Sequence, residues 1–390
     1  MRMVIKGGNV VTPDVVLTGH SLVIEDGRVV SLESDPQARY AGALHIDATG
    51  RWVVPGLIDI HVHGAVGHEV MDATPKALEG MSRFFVRHGV TAYLPTTIAA
   101  STQAIQAAIE NVAHTPQPEG GAQHLGVHIE GPYLSPEFKG AQPSAQVRDP
   151  DLREFEKWLG SGMVRLVTLA PERPGALDLI DLGVRKGIEF AVGHSGADYG
   201  QLQDAVGRGL HHATHTFNGM RAMNHRAPGV VGGVLTDDRI WAQLICDGVH
   251  VHPAVAKLLF RAKGARRLIL ITDAILATGL GDGQYEQVRQ TIVVRNGVAR
   301  NSTGNLAGST LTLEVALRNM MSFCNLTLIE ALPMVTSVPA EAIGLAGRKG
   351  SLTPGADADV VLLDSNLDVS MTIVAGRIAY QVENNLDARQ

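Results

Sequence analysis

The chain has 390 residues, 45% hydrophobic and 18% charged, a balance that allows a large buried core. The formal net charge of −6 gives no basic surface for a nucleic acid, and the two cysteines, Cys246 and Cys324, support neither a disulfide framework nor a cysteine-based zinc site. No apolar run approaches the roughly 20 residues of a membrane span, and the first residues lack the apolar segment of a signal peptide. We therefore expect a cytoplasmic protein with no membrane or nucleic-acid partner.

The two ends of the chain predict short β-strands. Glycine-containing turn signals, such as Gly7-Gly8 and Asp26-Gly27, separate the first runs and indicate a small antiparallel sheet. The tail returns to the same pattern. We expect both ends to pair in one small β-sandwich domain, formed by residues 1–52 and 346–390. The predicted strands are residues 3–5, 21–24, 29–32, 359–363, 371–374 and 378–380.

Residues 53–345 alternate short apolar runs with amphipathic stretches, which is typical of βα units around a parallel sheet. The eight runs fit a closed (β/α)₈ barrel of the TIM type, an α/β fold. A β-rich insertion at 291–298 and two helices, 310–323 and 328–336, are predicted after the eighth strand, with Ser309 as a helix cap. The predicted strands are 57–60, 92–94, 125–128, 166–169, 189–192, 212–214, 241–245 and 268–271, and the helices between them are 75–88, 103–113, 152–159, 176–186, 199–207 and 254–263.

Metal-ligand side chains follow five of these strands. In a strand, alternate side chains share a face, so His61 and His63 can converge on one ion. Because the functional residues of such barrels lie where strands end, all the candidates should meet at one rim. They are His61 and His63 after the first strand, Glu130 after the third, His194 after the fifth, His215 after the sixth and Asp273 after the eighth.

Imidazole and carboxylate ligands suit zinc, iron, cobalt or nickel. Glu130, His194 and His215 could hold one ion with a position open for water, or Glu130 could bridge two ions. A bound metal makes water acidic enough to attack a carbonyl carbon near neutral pH, and Asp273 could carry the proton to a leaving group. The sequence therefore predicts metal-dependent hydrolysis of an amide, ester or similar bond.

The order of these ligands resembles the amidohydrolase superfamily, and the similarity runs from about residue 5 to residue 379. Within that superfamily, the segments His128-Ile129-Glu130-Gly131-Pro132 and His215-Thr216-Phe217-Asn218-Gly219-Met220 resemble the N-acetylglucosamine-6-phosphate deacetylases. Relatives such as dihydroorotases bridge their metals with a lysine on strand four, which here ends Leu169-Ala170-Pro171-Glu172, so Glu130 would take that role. The resemblance implies release of acetate from N-acetyl-D-glucosamine 6-phosphate, in amino-sugar catabolism and cell-wall recycling, with one or two divalent ions, zinc first among them.

The resemblance also implies a substrate site. Its phosphate contacts would be Asn218, the Gly219 backbone, Arg226 and His250, with Arg226 reaching across a homodimer interface into the neighbouring site. Gln142 stands where the family often has a histidine that contacts the sugar, and it can donate and accept hydrogen bonds without becoming charged. Leu306 belongs to a segment that resembles the one enclosing the acetyl group.

Two alternatives remain open at this stage. The chain could be an N-acetylgalactosamine-6-phosphate deacetylase or another amidohydrolase, or it could be a barrel that lost catalysis and serves as a scaffold. Barrels that lose catalysis usually forfeit ligands, and the complete ligand set argues against the scaffold.

Overall fold

The computed structural model describes residues 2–13, 15–34, 40, 42–287 and 290–382. Residue 1 and residues 383–390, which the sequence assigns to the small β-domain, lie outside the described residues, as do 14, 35–39 and 41. The division into domains at residues 52 and 345 stays a prediction.

Eight parallel strands form a barrel at the centre of the molecule. Each pairs with the next along the chain, and the strand residues are almost entirely buried because helices cover the outside and side chains fill the inside. The ring closes where the Asp273 N–H donates to the His61 carbonyl (3.0 Å) and the His63 N–H donates to the Ala274 carbonyl (2.8 Å). The predicted barrel is confirmed. Its strands are Leu57–Val62, Val90–Thr97, Val127–Glu130, Val164–Leu169, Glu189–Val192, Leu210–Ala213, Trp241–Ile245 and Leu268–Ile271.

The helices of the barrel begin at residues that cap them. Asp151, for example, accepts hydrogen bonds from the N–H groups of Arg153 (2.8 Å) and Glu154 (2.9 Å), which have no partner inside the helix. All six predicted helices are present, with ends shifted by up to three residues. The helices are Pro75–Phe85, Thr102–His114, Leu152–Leu159, Ala176–Val184, Tyr199–Gly207, Gly229–Thr236 and Pro253–Lys263. Short 3₁₀ turns lie at Val70–Asp72, Val86–His88, Ser144–Gln146 and Ala265–Arg267.

The helix Gly229–Thr236 was not predicted, because glycine disfavours helix formation and three of its eight residues are glycine. Packing explains the composition. A Cβ atom on Gly233 would lie 2.5 Å from Leu202 of the preceding helix, and one on Gly232 would lie 2.3 Å from Pro228. Gly233 therefore allows two helices to approach closely, a tertiary constraint that outweighs local propensity.

Two sheets from the chain ends form the small β-domain beside the barrel. Their facing side chains, such as Ile5, Leu22, Leu362 and Ile373, pack in one core. The first sheet is mixed rather than antiparallel, because Arg2–Lys6 pairs in parallel with Leu44–Asp47, a strand that was not predicted. The four-stranded sheet contains Arg2–Lys6, Ser21–Glu25, Arg28–Glu33 and Leu44–Asp47; the six-stranded sheet contains Asn9–Val11, Val16–Thr18, Trp52–Pro55, Val360–Leu363, Val369–Val374 and Arg377–Gln381.

Short elements decorate the barrel at three places. The hairpin Gly64–Ala65 with His68–Glu69 follows the first strand, and Gln123–His124 adds to the edge of the second. The insertion after the eighth strand is a three-stranded antiparallel sheet: Gly283–Gln287, Gln290–Arg295 and Val298–Asn301.

Ser309 does not cap a helix, contrary to the prediction, since the helix begins at Leu313. The Ser309 hydroxyl donates to the Thr272 carbonyl (2.5 Å), and the Ser309 N–H donates to the Asp273 carbonyl (2.8 Å). These bonds hold the segment after the insertion against the end of the eighth strand.

The remaining helices are Leu313–Cys324, Leu328–Ala331 and Ser337–Ala342, with a 3₁₀ turn at Leu332–Val335. Among the described residues, no single helix is long and apolar enough to cross a membrane; Leu313–Cys324 with the 328–342 segment passes on length and composition only as a pair bent by 114°.

Candidate active site and metal centre

All six predicted metal ligands meet at the rim where the barrel strands end, and all six are buried. They fall into two groups, in each of which the ligand atoms lie within 4.8 Å of one another. We call the first the strand-one group and the second the glutamate group. The strand-one group is His61, His63 and Asp273; the glutamate group is Glu130, His194 and His215.

Glu130 lies between the two groups. Its Oε1 is 3.0 Å from His215 Nε2 and 3.2 Å from His194 Nε2, whereas its Oε2 is 3.4 Å from His63 Nε2. In the strand-one group, Asp273 Oδ1 is 3.1 Å from His63 Nε2 and 3.5 Å from His61 Nε2. This arrangement allows one carboxylate to serve both groups.

The protonation of the rings fits a bound cation. Nδ1 of His63 donates to the Thr96 carbonyl (3.1 Å) and Nδ1 of His194 to the Phe138 carbonyl (3.0 Å), which leaves a lone pair on each Nε2 of the neutral ring. These Nε2 atoms face the Nε2 atoms of His61 and His215, both at 3.1 Å. Converging nitrogen and carboxylate lone pairs repel one another unless a positive charge lies among them. The donor set therefore fits a divalent transition metal.

The pKa shifts of the ligand residues also indicate that the site favours positive charge. Burial lowers the pKa of His61 to about 4, so this ring is neutral. Burial opposes protonation of His63 as well, but hydrogen bonds to Asp273 and Glu130 outweigh it and raise its pKa to about 10. Without a metal this ring therefore carries a proton on Nε2, which a bound ion would displace. Burial would raise the pKa of Glu130, yet the surrounding imidazoles hold it well below its ordinary value. The site therefore contains two carboxylates that favour a cation.

Three of the ligand residues have left-handed backbones, which non-glycine residues rarely adopt. The φ angles are 48° at His194, 30° at His215 and 52° at Asp273. Each residue lies two positions after the last residue of its strand, where the chain leaves the barrel wall. Such conformations cost about 1–3 kcal/mol each and persist at functional sites when the surroundings impose them.

Gly219 belongs to this rim for a steric reason. Its φ is 60°, and a Cβ atom would lie 2.8 Å from His194 Nδ1 and 3.1 Å from the Phe138 carbonyl oxygen. Any side chain at residue 219 would displace the His194 ring or the carbonyl that orients it.

Buried polar groups support the ligands from below. The Asp59 carboxylate accepts from the Thr272 hydroxyl (2.6 Å) and the His61 N–H (3.2 Å), so it links the strands that carry His61 and Asp273. Burial raises the pKa of Asp59 to about 7. The His128 ring packs edge-on against His61, with centroids 4.7 Å apart.

A cavity of about 650 Å³ opens above the metal centre, within the size range of small-molecule sites. Five of the six predicted substrate residues line it: Gln142, Asn218, Gly219, His250 and Leu306. Arg226 does not line the cavity of its own chain and is exposed.

Two substrate residues are oriented by neighbours. Nδ1 of His250 is 2.6 Å from Asp247 Oδ2, which fixes the ring at the cavity wall. Gln142 is hydrogen-bonded to Glu130 Oε2 (2.5 Å) and to the Ala99 N–H (2.8 Å). The predicted sugar contact of Gln142 stays a prediction.

Sequence reasoning missed several supporting groups. Glu172 accepts from the Ser195 hydroxyl (2.7 Å) and the Gly196 N–H (2.6 Å), and so fixes the loop after His194. A carboxylate at the end of strand four was a usable signal for Glu172, and the three-residue spacing to His250 was one for Asp247. The Phe138 carbonyl had no signal, because any residue type supplies one.

Comparisons with known proteins agree with this geometry. The sequence model of the amidohydrolase family matches residues 52–379. N-acetylglucosamine-6-phosphate deacetylase of Bacillus subtilis is 38% identical, with 97% of each chain covered. N-acetylgalactosamine-6-phosphate deacetylase of Escherichia coli O157:H7 is also 38% identical, over 97% of this chain and all of that one. A mutant N-acetyl-D-glucosamine-6-phosphate deacetylase of Mycobacterium smegmatis, solved with N-acetyl-D-glucosamine-6-phosphate, superposes with a TM-score of 0.90 at 34% identity, covering 97% of this chain and 100% of that one.

Proposed function

The chain belongs to the amidohydrolase family, in the branch of the N-acetylglucosamine-6-phosphate deacetylases, and from that membership we propose that it hydrolyses N-acetyl-D-glucosamine 6-phosphate to D-glucosamine 6-phosphate and acetate. The observation that carries this proposal is the buried set of six ligands at the base of a cavity. A barrel used only as a scaffold has no need for two converging carboxylates and four imidazoles.

Each residue of the metal centre has a defined task in this reaction. Glu130, His194 and His215 would hold one divalent ion, and His61, His63 and Asp273 a second. The bound metal would supply a Lewis acid that acidifies water and polarises the acetyl carbonyl oxygen. We propose zinc as the ion, because nitrogen and carboxylate ligands in a buried site suit it.

Asp273 would move the proton. Interactions with His61 and His63 overcome its burial and lower its pKa, so the carboxylate is ionised at neutral pH and can accept a proton from the attacking water. The same proton then passes to the sugar nitrogen as the carbon–nitrogen bond breaks. The products are acetate and the free amine, and Asp273 returns to its starting state.

The phosphate would lie against one wall of the cavity. Asn218, the Gly219 backbone and His250 are at the wall, and a guanidinium or imidazole is a good phosphate donor. Because Arg226 is exposed and outside its own cavity, we propose a homodimer in which Arg226 of one copy enters the site of the other. A charged sugar phosphate does not cross membranes unaided, so the proposed substrate is one that a cytoplasmic enzyme meets.

A second substrate has comparable support. The Escherichia coli relative that acts on the galactosamine epimer is as identical to this chain as the Bacillus relative is. The two sugars differ only in the orientation of one hydroxyl group, which the metal centre does not determine.

Acetate release tests the proposal. The zinc-loaded protein should release acetate from one or both N-acetylhexosamine 6-phosphates, more slowly from unphosphorylated N-acetylglucosamine, and not after removal of metal by a chelator. Stoichiometric metal binding without acetate release from either phosphate would contradict it.

A further inference from the structure

Gln142 reaches the metal centre from the loop after the third barrel strand. Its Oε1 accepts from the Ala99 N–H (2.8 Å), and its Nε2 donates to Glu130 Oε2 (2.5 Å). Since a backbone N–H can only donate, the amide oxygen must face Ala99 and the amide nitrogen must face Glu130. Gln142 is only 7% exposed, so both bonds are shielded from water.

The backbone holds Gln142 in this position. Its N–H donates to the Lys139 carbonyl (3.0 Å), and the Lys139 ammonium donates to the Gln142 carbonyl (3.3 Å). Gln290 of the insertion donates to the neighbouring Ala141 carbonyl (3.3 Å). The amide is therefore presented to Glu130 by an anchored loop.

This contact makes the two oxygens of Glu130 unequal. Oε1 lies 3.0 Å from His215 and 3.2 Å from His194, with His61 farther away at 3.6 Å, whereas Oε2 carries the Gln142 hydrogen bond and is 3.4 Å from His63. A carboxylate oxygen that accepts a short, charge-assisted hydrogen bond shares its negative charge with the donor. It is then a weaker metal ligand than its partner oxygen.

We propose that Gln142 is a positioning residue that makes the glutamate group the tighter of two metal subsites and the strand-one group the weaker. By fixing Oε2, it aims Oε1 at His194 and His215. The inference rests on the proposed metal-dependent function. It concerns an interaction with Glu130, apart from the sugar contact expected of Gln142.

Metal titration of the metal-free protein tests this. Zinc binding measured calorimetrically against a competing chelator, and cobalt binding followed by visible absorption, should show two steps in the wild type with dissociation constants at least about tenfold apart. Gln142→Met removes both hydrogen bonds at similar size. It should weaken the tight step by about tenfold, the lower range for loss of a group that orients a ligand, and bring the two steps together.

Gln290→Leu is the matched control. It removes another glutamine of the same cavity, one bonded to the adjacent residue of the same loop but not to Glu130. Its two titration steps should keep the wild-type separation.

Gln142→Ala keeps the assay decisive if Gln142→Met does not fold. The short side chain removes both hydrogen bonds without adding bulk or charge, so its steps should also merge. A single step in the wild type, or wild-type separation in a folded Gln142 variant, would overturn the inference. A wild-type protein that binds no metal at all would instead refute the proposed function.

Discussion

Two buried clusters of charged groups differ in whether they neutralise themselves. At the junction of the small β-domain with the barrel, Lys349 donates to Asp359 (2.7 Å) and to Gln123 of the barrel (2.7 Å), and it pairs with Asp357 (3.1 Å). Arg28 and Arg348 complete the balance around Asp357. At the rim, Glu130 and Asp273 face imidazoles whose lone pairs point at one another.

The difference separates a structural cluster from a functional one. The Lys349 cluster contains its own cation and joins two parts of the fold. The metal centre contains two carboxylates and four imidazoles, and its positive charge comes from a bound ion or, without one, from a proton on His63. A buried cluster of charged groups therefore does not identify a functional site by itself. A buried cluster of carboxylates and imidazoles without a lysine or arginine partner does.

The largest expected effect is on the chemistry of the rim. Asp273→Asn keeps the shape of the side chain but removes its capacity to accept a proton, so kcat should fall by about a thousandfold. Atomic absorption should still find about one metal ion per chain, since the glutamate group is intact. Turnover within tenfold of the wild type would rule out proton transfer by Asp273.

Replacement of Lys349 tests the Lys349 cluster. Lys349→Met leaves the buried Asp359 without its ammonium partner, and the free energy of unfolding should fall by about 3–5 kcal/mol in a denaturant titration. The control Arg348→Met removes a side chain that is 61% exposed and should cost less than about 1 kcal/mol. Equal losses in the two variants would show that Lys349 does not anchor this cluster.

Zinc should stabilise only the cluster that lacks a cation. At a free concentration one hundred times the dissociation constant, one bound ion raises the free energy of unfolding by about 2.7 kcal/mol. The same increment should appear in Lys349→Met, since the clusters are independent. Thermal unfolding with and without chelator measures this increment. If zinc does not stabilise the wild type, the rim does not require a cation.

The smallest expected effect concerns an exposed cation outside both clusters. Arg226→Ala should raise KM for N-acetylglucosamine 6-phosphate by roughly tenfold, the loss of about one charged hydrogen bond, while KM for the unphosphorylated sugar stays unchanged. Steady-state assays on both sugars measure this. Equal changes in KM for the two sugars would show that Arg226 does not bind the phosphate.

Much of the rim could be predicted because its signals are local. The alternation of His61 and His63 follows from strand geometry. The shared rim of a barrel explains why Glu130, at the end of its strand, meets His194 and Asp273, which lie just after theirs. The Lys349 cluster was not predicted, since its partners come from residues 123, 357 and 359 and meet only in the folded chain.

The difference between the two Glu130 oxygens could not be predicted from the sequence, for a related reason. The resemblance predicts a contact between Gln142 and the sugar. The Ala99 N–H orients the Gln142 amide, and because every residue type except proline has this backbone group, the sequence gives no sign of it. The parallel pairing of Leu44–Asp47 with Arg2–Lys6 was missed likewise, because residues far apart in the chain define it.

His194, His215 and Asp273 have left-handed backbones, which lower the stability of the protein at residues that the reaction needs. Glycine would relax all three positions, so selection for heat resistance alone would favour discarding the residues that the reaction needs. Engineers who seek a hardier catalyst should leave this rim unaltered and look for gains elsewhere in the barrel.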